Sequence, residues 1–373
     1  MTVVELARQL IAIPSVNPAG DPGTDQTGEG KMAAFLADFL RQMGAEVSLA
    51  EVLPGRPNVI ARFPSDSNGK KSNQKPRLAF APHTDTVGVS GMKVPSFSPE
   101  IRDGRLYGRG ACDTKGPMAA QLWALQEMRH ELPNLSHEIV FLGLMDEEAG
   151  QAGASAAAAS VPLDFVIVAE PTSNQIVHTH KGCLWLEVIT HGIAAHSSRP
   201  ELGNNAIQAM ARVLRGIEEE IAPLLRSKMH PVLGSPTISP GVIRGGQKCN
   251  VVPDFCQMEV DIRTIPGMEN FAVEFAAAME KWSPGVEVRV AKQSAALQTK
   301  LDHPVIAGLQ KLGCQTTGAP WFCDAAIFSA AGVPSIAIGP GSISQAHTAD
   351  EFIEIAELEK GAEIFRRFLS NLQ

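Results

Sequence analysis

No stretch of about 18 consecutive apolar residues occurs in the 373-residue chain, which excludes a membrane-spanning helix. Glu5 and Arg8 interrupt the first 14 residues, where a secretory leader needs an unbroken apolar core, so a cytoplasmic protein is expected. A CxxC pair is missing as well. The six cysteines (Cys112, Cys183, Cys249, Cys256, Cys314, Cys323) are scattered, which fits reduced, buried thiols and excludes a disulfide framework or a zinc knuckle. Basic excess is absent: 32 Lys+Arg stand against 40 Asp+Glu, a net charge of -8. Without a basic stripe to neutralise phosphates, nucleic acid is not an expected partner. No internal repeat is visible. The 44% hydrophobic and 19% charged fractions are enough to bury a core, and the length suggests about two domains.

The first half alternates helical and strand patterns. Helices are expected over residues 3–11, 31–43, 118–129 and 153–159, and strands over 58–63, 77–80, 138–144 and 165–168. A Pro-, Gly- and Asp-rich stretch at 17–30 reads as a surface loop, and the polar stretch 65–75 as a solvated hairpin connection. Strands alternating with helices imply a mostly parallel sheet covered on both faces. From residue 181 the order becomes strand 183–190, helix 204–225, strands 237–243 and 254–262, helix 269–282 and strand 286–291. That is the β-α-β-β-α-β order of a split-βαβ, or ferredoxin-like, α+β unit. Afterwards a helix at 304–311, a strand at 335–338 and a helix at 355–369 resume the first style. Residues 181–292 are therefore expected to be inserted into a discontinuous α/β domain of residues 1–180 and 293–373.

Chemistry-bearing residues collect where strands end. His83 and Asp85 follow one strand, two residues apart and so turned the same way. A ligating histidine normally needs a carboxylate on its other ring nitrogen, which suits that pair. Asp113 sits in the Gly-punctuated loop 108–116 just ahead of a helix, where a capping role would be the ordinary explanation. Asp146, Glu147 and Glu148 follow the strand 138–144; three adjacent carboxylates repel unless solvated or bound to cations. Glu170 closes the strand 165–168, and His347 follows the strand 335–338 through a Gly-Pro-Gly-Ser turn. Each alone has a structural explanation, but open α/β sheets bind ligands at strand carboxyl ends, so together they should share one crevice. Imidazoles and carboxylates without thiolate suit zinc, cobalt or manganese. About six ligands are too many for one four-coordinate ion, whereas two ions sharing a bridging carboxylate would use them all.

In this order and spacing the residues resemble, over essentially the whole chain, the acetylornithine deacetylase, succinyl-diaminopimelate desuccinylase and carboxypeptidase G family of dinuclear zinc metallopeptidases. The resemblance implies a zinc exopeptidase-like α/β fold with an inserted dimerisation and lid domain. It implies that His83 and Glu170 bind one zinc, that Glu148 and His347 bind the other, and that Asp113 bridges them across a cis Asp113–Thr114 peptide. Asp85 would support His83, and Glu147 would be the general base that deprotonates a water bridging the two ions. His196 would stabilise the oxyanion from across a dimer interface. Asn250 and Arg263 would hold the substrate carboxylate, a task that suits the planar guanidinium fork. A split-βαβ lid has a sheet edge free to pair with its twin, so a homodimer is expected, with hinges near Lys181 and Ser294.

His178, His180, His191 and His303 lack such context and read as ordinary surface or capping residues, while Trp321, Phe322 and Asp324 either line a side-chain pocket or pack in the core. The stretch Gly339 to His347 looks like the acetylornithine deacetylase branch, and the Ser-Gly-Gly-Thr-Ser-Asp stretch of desuccinylases is absent. The expected reaction is hydrolysis of N-acetyl-ornithine to ornithine and acetate. A desuccinylase, aminoacylase or dipeptidase of the same family is the alternative substrate class. A catalytically silent binding protein is the alternative of a different kind, disfavoured because every ligand and the base are present.

Overall fold

The computed structural model describes residues 1–20, 26–64 and 75–372. They form two compact units: Met1–His178 with Thr299–Thr317 and Cys323–Gln373, and Thr179–Gln298 with Gly318–Phe322. The second unit is an insertion into the first.

The sheet of the first unit is mixed. From one side its strands run Glu46–Leu53, Arg56–Arg62, Glu138–Gly143, Arg77–Ala81, Phe165–Val168, Ser335–Ala337 and Ile176–His180. The four from Glu138–Gly143 to Ser335–Ala337 are mutually parallel, and antiparallel strands flank them. Apolar runs explain the centre: Ile139 to Leu142 and Phe165 to Val168 are buried on both faces, as a covered parallel sheet requires. Helix Lys115–Glu127 is buried nearly all round rather than along one stripe, which marks it as a central helix. It packs against Val3–Ile11 and Ile355–Ser370, and Phe80 on the sheet meets Phe365 edge-on at 5.7 Å.

One expected feature is overturned by strand order. Residues 65–74 lie outside the described residues, but their flanking strands do not form a hairpin, because Glu138–Gly143 lies between Arg56–Arg62 and Arg77–Ala81. The hairpin on this side joins Glu46–Leu53 to Arg56–Arg62 through a turn at Gly55, whose φ is +71°. The alternating exposed and half-buried residues of Glu46–Leu53 hid that edge strand from periodicity.

The inserted unit is a four-stranded antiparallel sheet in the order Thr237–Gly245, Phe255–Thr264, Gly182–His191, Glu287–Ser294. Helices Ala206–Gly216 and Phe271–Trp282 contribute Met210, Val213, Phe271 and Phe275 to its core with Leu186 and Val188 of the sheet. The fold is thus α/β with a split-βαβ insertion. The single helix expected over 204–225 is broken: Ala206–Gly216 passes into a wide π turn at Ile217–Ile221 and then Ala222–Ser227, where Pro223 has no N–H to donate. Among the described residues no helix is long and apolar enough to cross a membrane.

Phe80 is fully buried on the strand that leads to His83. Phe80→Ala should lower the first unit's stability by about 3–5 kcal/mol, read from its urea midpoint; an unchanged midpoint would remove this residue from the core.

Candidate metal centre

Three of the parallel strands deliver side chains to one edge of the sheet. His83 follows Arg77–Ala81, Glu147 and Glu148 follow Glu138–Gly143, and Glu170 follows Phe165–Val168. The strands are neighbours in register, and a bridge between His83 and Leu144 extends the pairing past their ends, so side chains distant in sequence become adjacent. Asp113 arrives from the loop ahead of helix Lys115–Glu127. Gly108 and Gly110 have φ of +149° and +81°, and a Cβ on Gly108 would lie 2.5 Å from Ile11 Cγ2, so only glycine fits there. The Asp113–Thr114 peptide is cis, and the Thr114 hydroxyl donates to the Ala169 carbonyl beside Glu170 at 2.7 Å.

The two oxygens of Asp113 face different partners. Oδ1 lies 3.1 Å from His83 Nε2, and Oδ2 lies 3.2 Å from His347 Nε2. His347 Nε2 is also 3.1 Å from Glu148 Oε2. One ligand atom each from His83, Asp113 and Glu170 fall within 4.8 Å of one another, and so do those of Asp113, Glu148 and His347. Among the described residues the buried oxygens Glu148 Oε1 and Glu170 Oε1 have no hydrogen-bond partner, a state that costs a carboxylate dearly unless a cation meets it. Two nitrogen-and-carboxylate triads sharing one carboxylate therefore fit a pair of divalent ions.

The electrostatics agree. Burial, then the neighbouring charges of Glu170, Asp324 and Glu148, pushes the Glu147 carboxyl well above its ordinary range; burial and Asp113 push Glu170 well above it too and raise Glu148. Burial opposes ionisation of Asp113, yet hydrogen bonds with His347 and His83 hold its carboxyl low. Hydrogen bonds to Asp113 and Glu148 raise His347 to about 10. The centre is an acid cluster short of positive charge.

Residues around the centre include several that composition and spacing had not singled out. Asp85 is fully buried; its carboxylate accepts the Glu147 and Glu148 amides, both at 3.1 Å, and Asn17 Nδ2 at 2.8 Å. His83 Nδ1 meets the Asp85 backbone carbonyl at 3.0 Å, nearer than the carboxylate at 3.5 Å. Asp146, the third member of the acidic run, turns away with φ +72° to accept Asn17 and Arg56, each at 3.0 Å, while Arg56 grips Glu29 with both ends of its fork at 2.6 and 2.7 Å. The expected surface loop 17–30 is thus corrected. Residues 21–25 lie outside the described residues, but Asn17 and Glu29 are buried because their polar atoms pair with Asp85, Asp146 and Arg56. Lys115 is also fully buried, with Nζ donating to the Ile13 carbonyl at 2.6 Å; burial lowers it to about 7. Asp324 is fully buried in the same unit, raised to about 7 by burial, with Oδ1 accepting from Gln151. No periodic signal marks such residues, since each acts through partners far along the chain.

Within the inserted unit, His196 is exposed and its Nδ1 lies 2.8 Å from Ser198 Oγ. A bridge from His196 to Val251 and a Ser197 amide bond to the Asn250 carbonyl put His196 and Asn250 side by side. Arg263 lies on Phe255–Thr264, half-buried, with Nε 3.0 Å from Asp261 and its guanidinium 5.9 Å from the Phe322 ring centre. His303 caps helix Pro304–Gln310 through its side chain, in line with an ordinary role, whereas His180, the last residue of the strand Ile176–His180, is fully buried with Nδ1 2.9 Å from the Lys181 carbonyl.

Residues 79–371 match the model of peptidase family M20/M25/M40, and the chain belongs to that family of metal-dependent hydrolases. It is 32% identical to an acetylornithine deacetylase of Proteus mirabilis over 99% of this chain and 96% of that protein. Its fold is shared by the aminopeptidase PepT of Bacillus cereus, with a TM-score of 0.77, 21% identity, and coverage of 99% of this chain and 98% of that one. The Bacillus subtilis YXEP protein, a dinuclear metal-binding peptidase of family M20, has a TM-score of 0.71, 16% identity, and coverage of 99% and 97%.

Because imidazole must be neutral to ligate, loading the metal-free protein at pH 7.5 should expel the His347 proton, and affinity should rise with pH until about 10. Zinc titration in weak buffer with a pH indicator should show fewer protons released by His347→Gln than by the wild type; equal release would contradict the assignment.

Proposed function

We propose that the protein hydrolyses the amide bond of an N-acyl amino acid, with N-acetyl-ornithine as substrate and ornithine and acetate as products. The observation that carries this is the Asp113 carboxylate presented to two ligand triads with the Glu147 carboxyl beside them, a set suited to activating water against an amide. The full-length similarity to an acetylornithine deacetylase supports the choice of acyl group and amine.

In this reading His83, Glu170 and Asp113 hold one divalent ion, and Glu148, His347 and Asp113 hold the other, zinc being the metal. When bound, the ions supply Lewis acidity and lower the pKa of water at the site. Glu147 takes the proton of the attacking water and then, as a carboxylic acid, passes it to the departing amine. Burial suits it to both tasks by raising its proton affinity. Asp85 keeps Glu147 in place by accepting its backbone N–H, and fixes the His83 ring through its own carbonyl.

The inserted unit supplies the rest. His196 donates to the developing oxyanion from the second subunit of a cytoplasmic homodimer, and Asn250 and Arg263 hold the substrate carboxylate. Exposed Ile193, Ile207, Ile243, Val251 and Phe255 support a partner on this unit, since apolar side chains in such number favour burial.

Glu147→Gln should retain both metal equivalents and lose turnover by three orders of magnitude or more, measured by metal analysis and amine release; wild-type activity would remove Glu147 from the base role. A panel of N-acetyl-ornithine, N-succinyl-diaminopimelate and dipeptides should give its highest kcat/KM with the first. Cleavage of none would overturn the reading. Gel filtration giving a monomer at assay concentration would remove the trans role of His196.

A further inference from the structure

His83, Glu148 and Glu170 follow directly from strand ends, but His347 does not. It lies in an irregular segment beyond Ser335–Ala337 that holds only the single turn Ile343–Gln345, and its own φ is +63°. Its side chain is half exposed, so packing does not fix it either. Something else must hold it opposite Asp113.

The segment's next charged, fully buried side chain is Glu351. Its Oε1 accepts the amides of Cys112 and Asp113 at 2.9 and 3.0 Å, and its Oε2 accepts the Gly110 amide at 3.1 Å and Arg109 Nη1 at 2.7 Å. Arg109, also buried, reaches the Thr348 carbonyl at 3.3 Å through Nη1 and the Gly88 carbonyl at 3.1 Å through Nε. The Gly108 amide donates to the Glu351 carbonyl at 3.1 Å. The loop bearing Asp113 and the segment bearing His347 are therefore laced together by one carboxylate and one guanidinium.

Resting on the two-ion reading above, we propose that Glu351 and Arg109 are a positioning pair that sets the spacing of Asp113 and His347, so that binding of the second divalent ion depends on it. Neither residue touches a ligand atom of the first triad's His83 or Glu170. Of the first triad the pair reaches only the shared Asp113, whereas it ties down the segments of both Asp113 and His347 in the second, so its loss weighs more on the ion held by Asp113, Glu148 and His347.

Both oxygens of Glu351 accept two donors each, so Glu351→Gln keeps the shape but turns one acceptor into an NH2 that faces two N–H groups. The full-length protein, stripped by chelation and titrated with Co2+ by calorimetry and visible absorption, should bind two equivalents as wild type. Glu351→Gln should bind one equivalent at least about ten-fold more weakly and the other with a clearly smaller loss, with the absorption of the weakened equivalent altered. Equal weakening of both ions would signal general loosening and overturn the proposal, as would two wild-type affinities. Arg109→Lys keeps a cation beside Glu351 but loses the fork to Thr348 and Gly88. It should weaken the second ion selectively, and it decides the matter if Glu351→Gln fails to fold; a wild-type second affinity in Arg109→Lys then overturns the proposal. A wild type that binds one ion only would sink the two-ion reading itself, and this proposal with it.

Discussion

Acidic groups crowded into a dry crevice repel one another, and every one of them loses hydration on burial. Here Asp85, Asp113, Glu147, Glu148, Glu170 and Asp324 are drawn from one compact unit, and the described side chains nearest to most of them are acids or histidines. Protons held on the raised carboxyls relieve part of this repulsion, and positive charge at the centre would relieve the rest. The parallel sheet creates the crowding, because adjacent strands that point the same way end at the same edge. Divalent cations resolve it, and Asp113, with one oxygen toward each triad, is where two of them would meet.

Protein cations do a different task at the periphery. Arg56 and Arg109 stay outside the acid cluster, each neutralising a buried glutamate that in turn ties down backbone near the centre. Glu29 accepts the Asp146 amide and Glu351 accepts the Asp113 amide, so both pairs convert charge into loop position. Breaking a buried pair by removing one partner costs about 3–5 kcal/mol, several times what an exposed pair such as Arg41 with Asp38 contributes. Rigid placement at this edge is thus a property of the layer behind the ligands as much as of the ligands.

How much of this was legible in the sequence depended on how local its cause is. The strands ending at His83, Glu148 and Glu170 could be read because apolar runs announce buried parallel strands, and the acids follow at once. The insertion could be read because its helices and strands alternate in a recognisable order. The edge strand Glu46–Leu53 lacked a buried face and left no such trace. Asn17, Glu29 and Glu351 were invisible for another reason. Each is a polar residue in an irregular segment whose burial is decided by a partner far along the chain, such as Arg109 for Glu351. Polar composition argues for solvent, and only the folded chain reveals the pairing.

The path of the chain through the first unit also orders events in time. His83, Asp113, Glu148 and Glu170 all precede the insertion, whereas His347 follows it. The strand Ser335–Ala337 likewise slots between Phe165–Val168 and Ile176–His180, two strands made long before it. Synthesis from the N-terminus therefore supplies the neighbours of that strand, and one whole triad, before the strand itself and the last ligand. All three ligands of the first triad are thus encoded ahead of the insertion, whereas the second triad and the middle of the sheet both wait on residues that follow it.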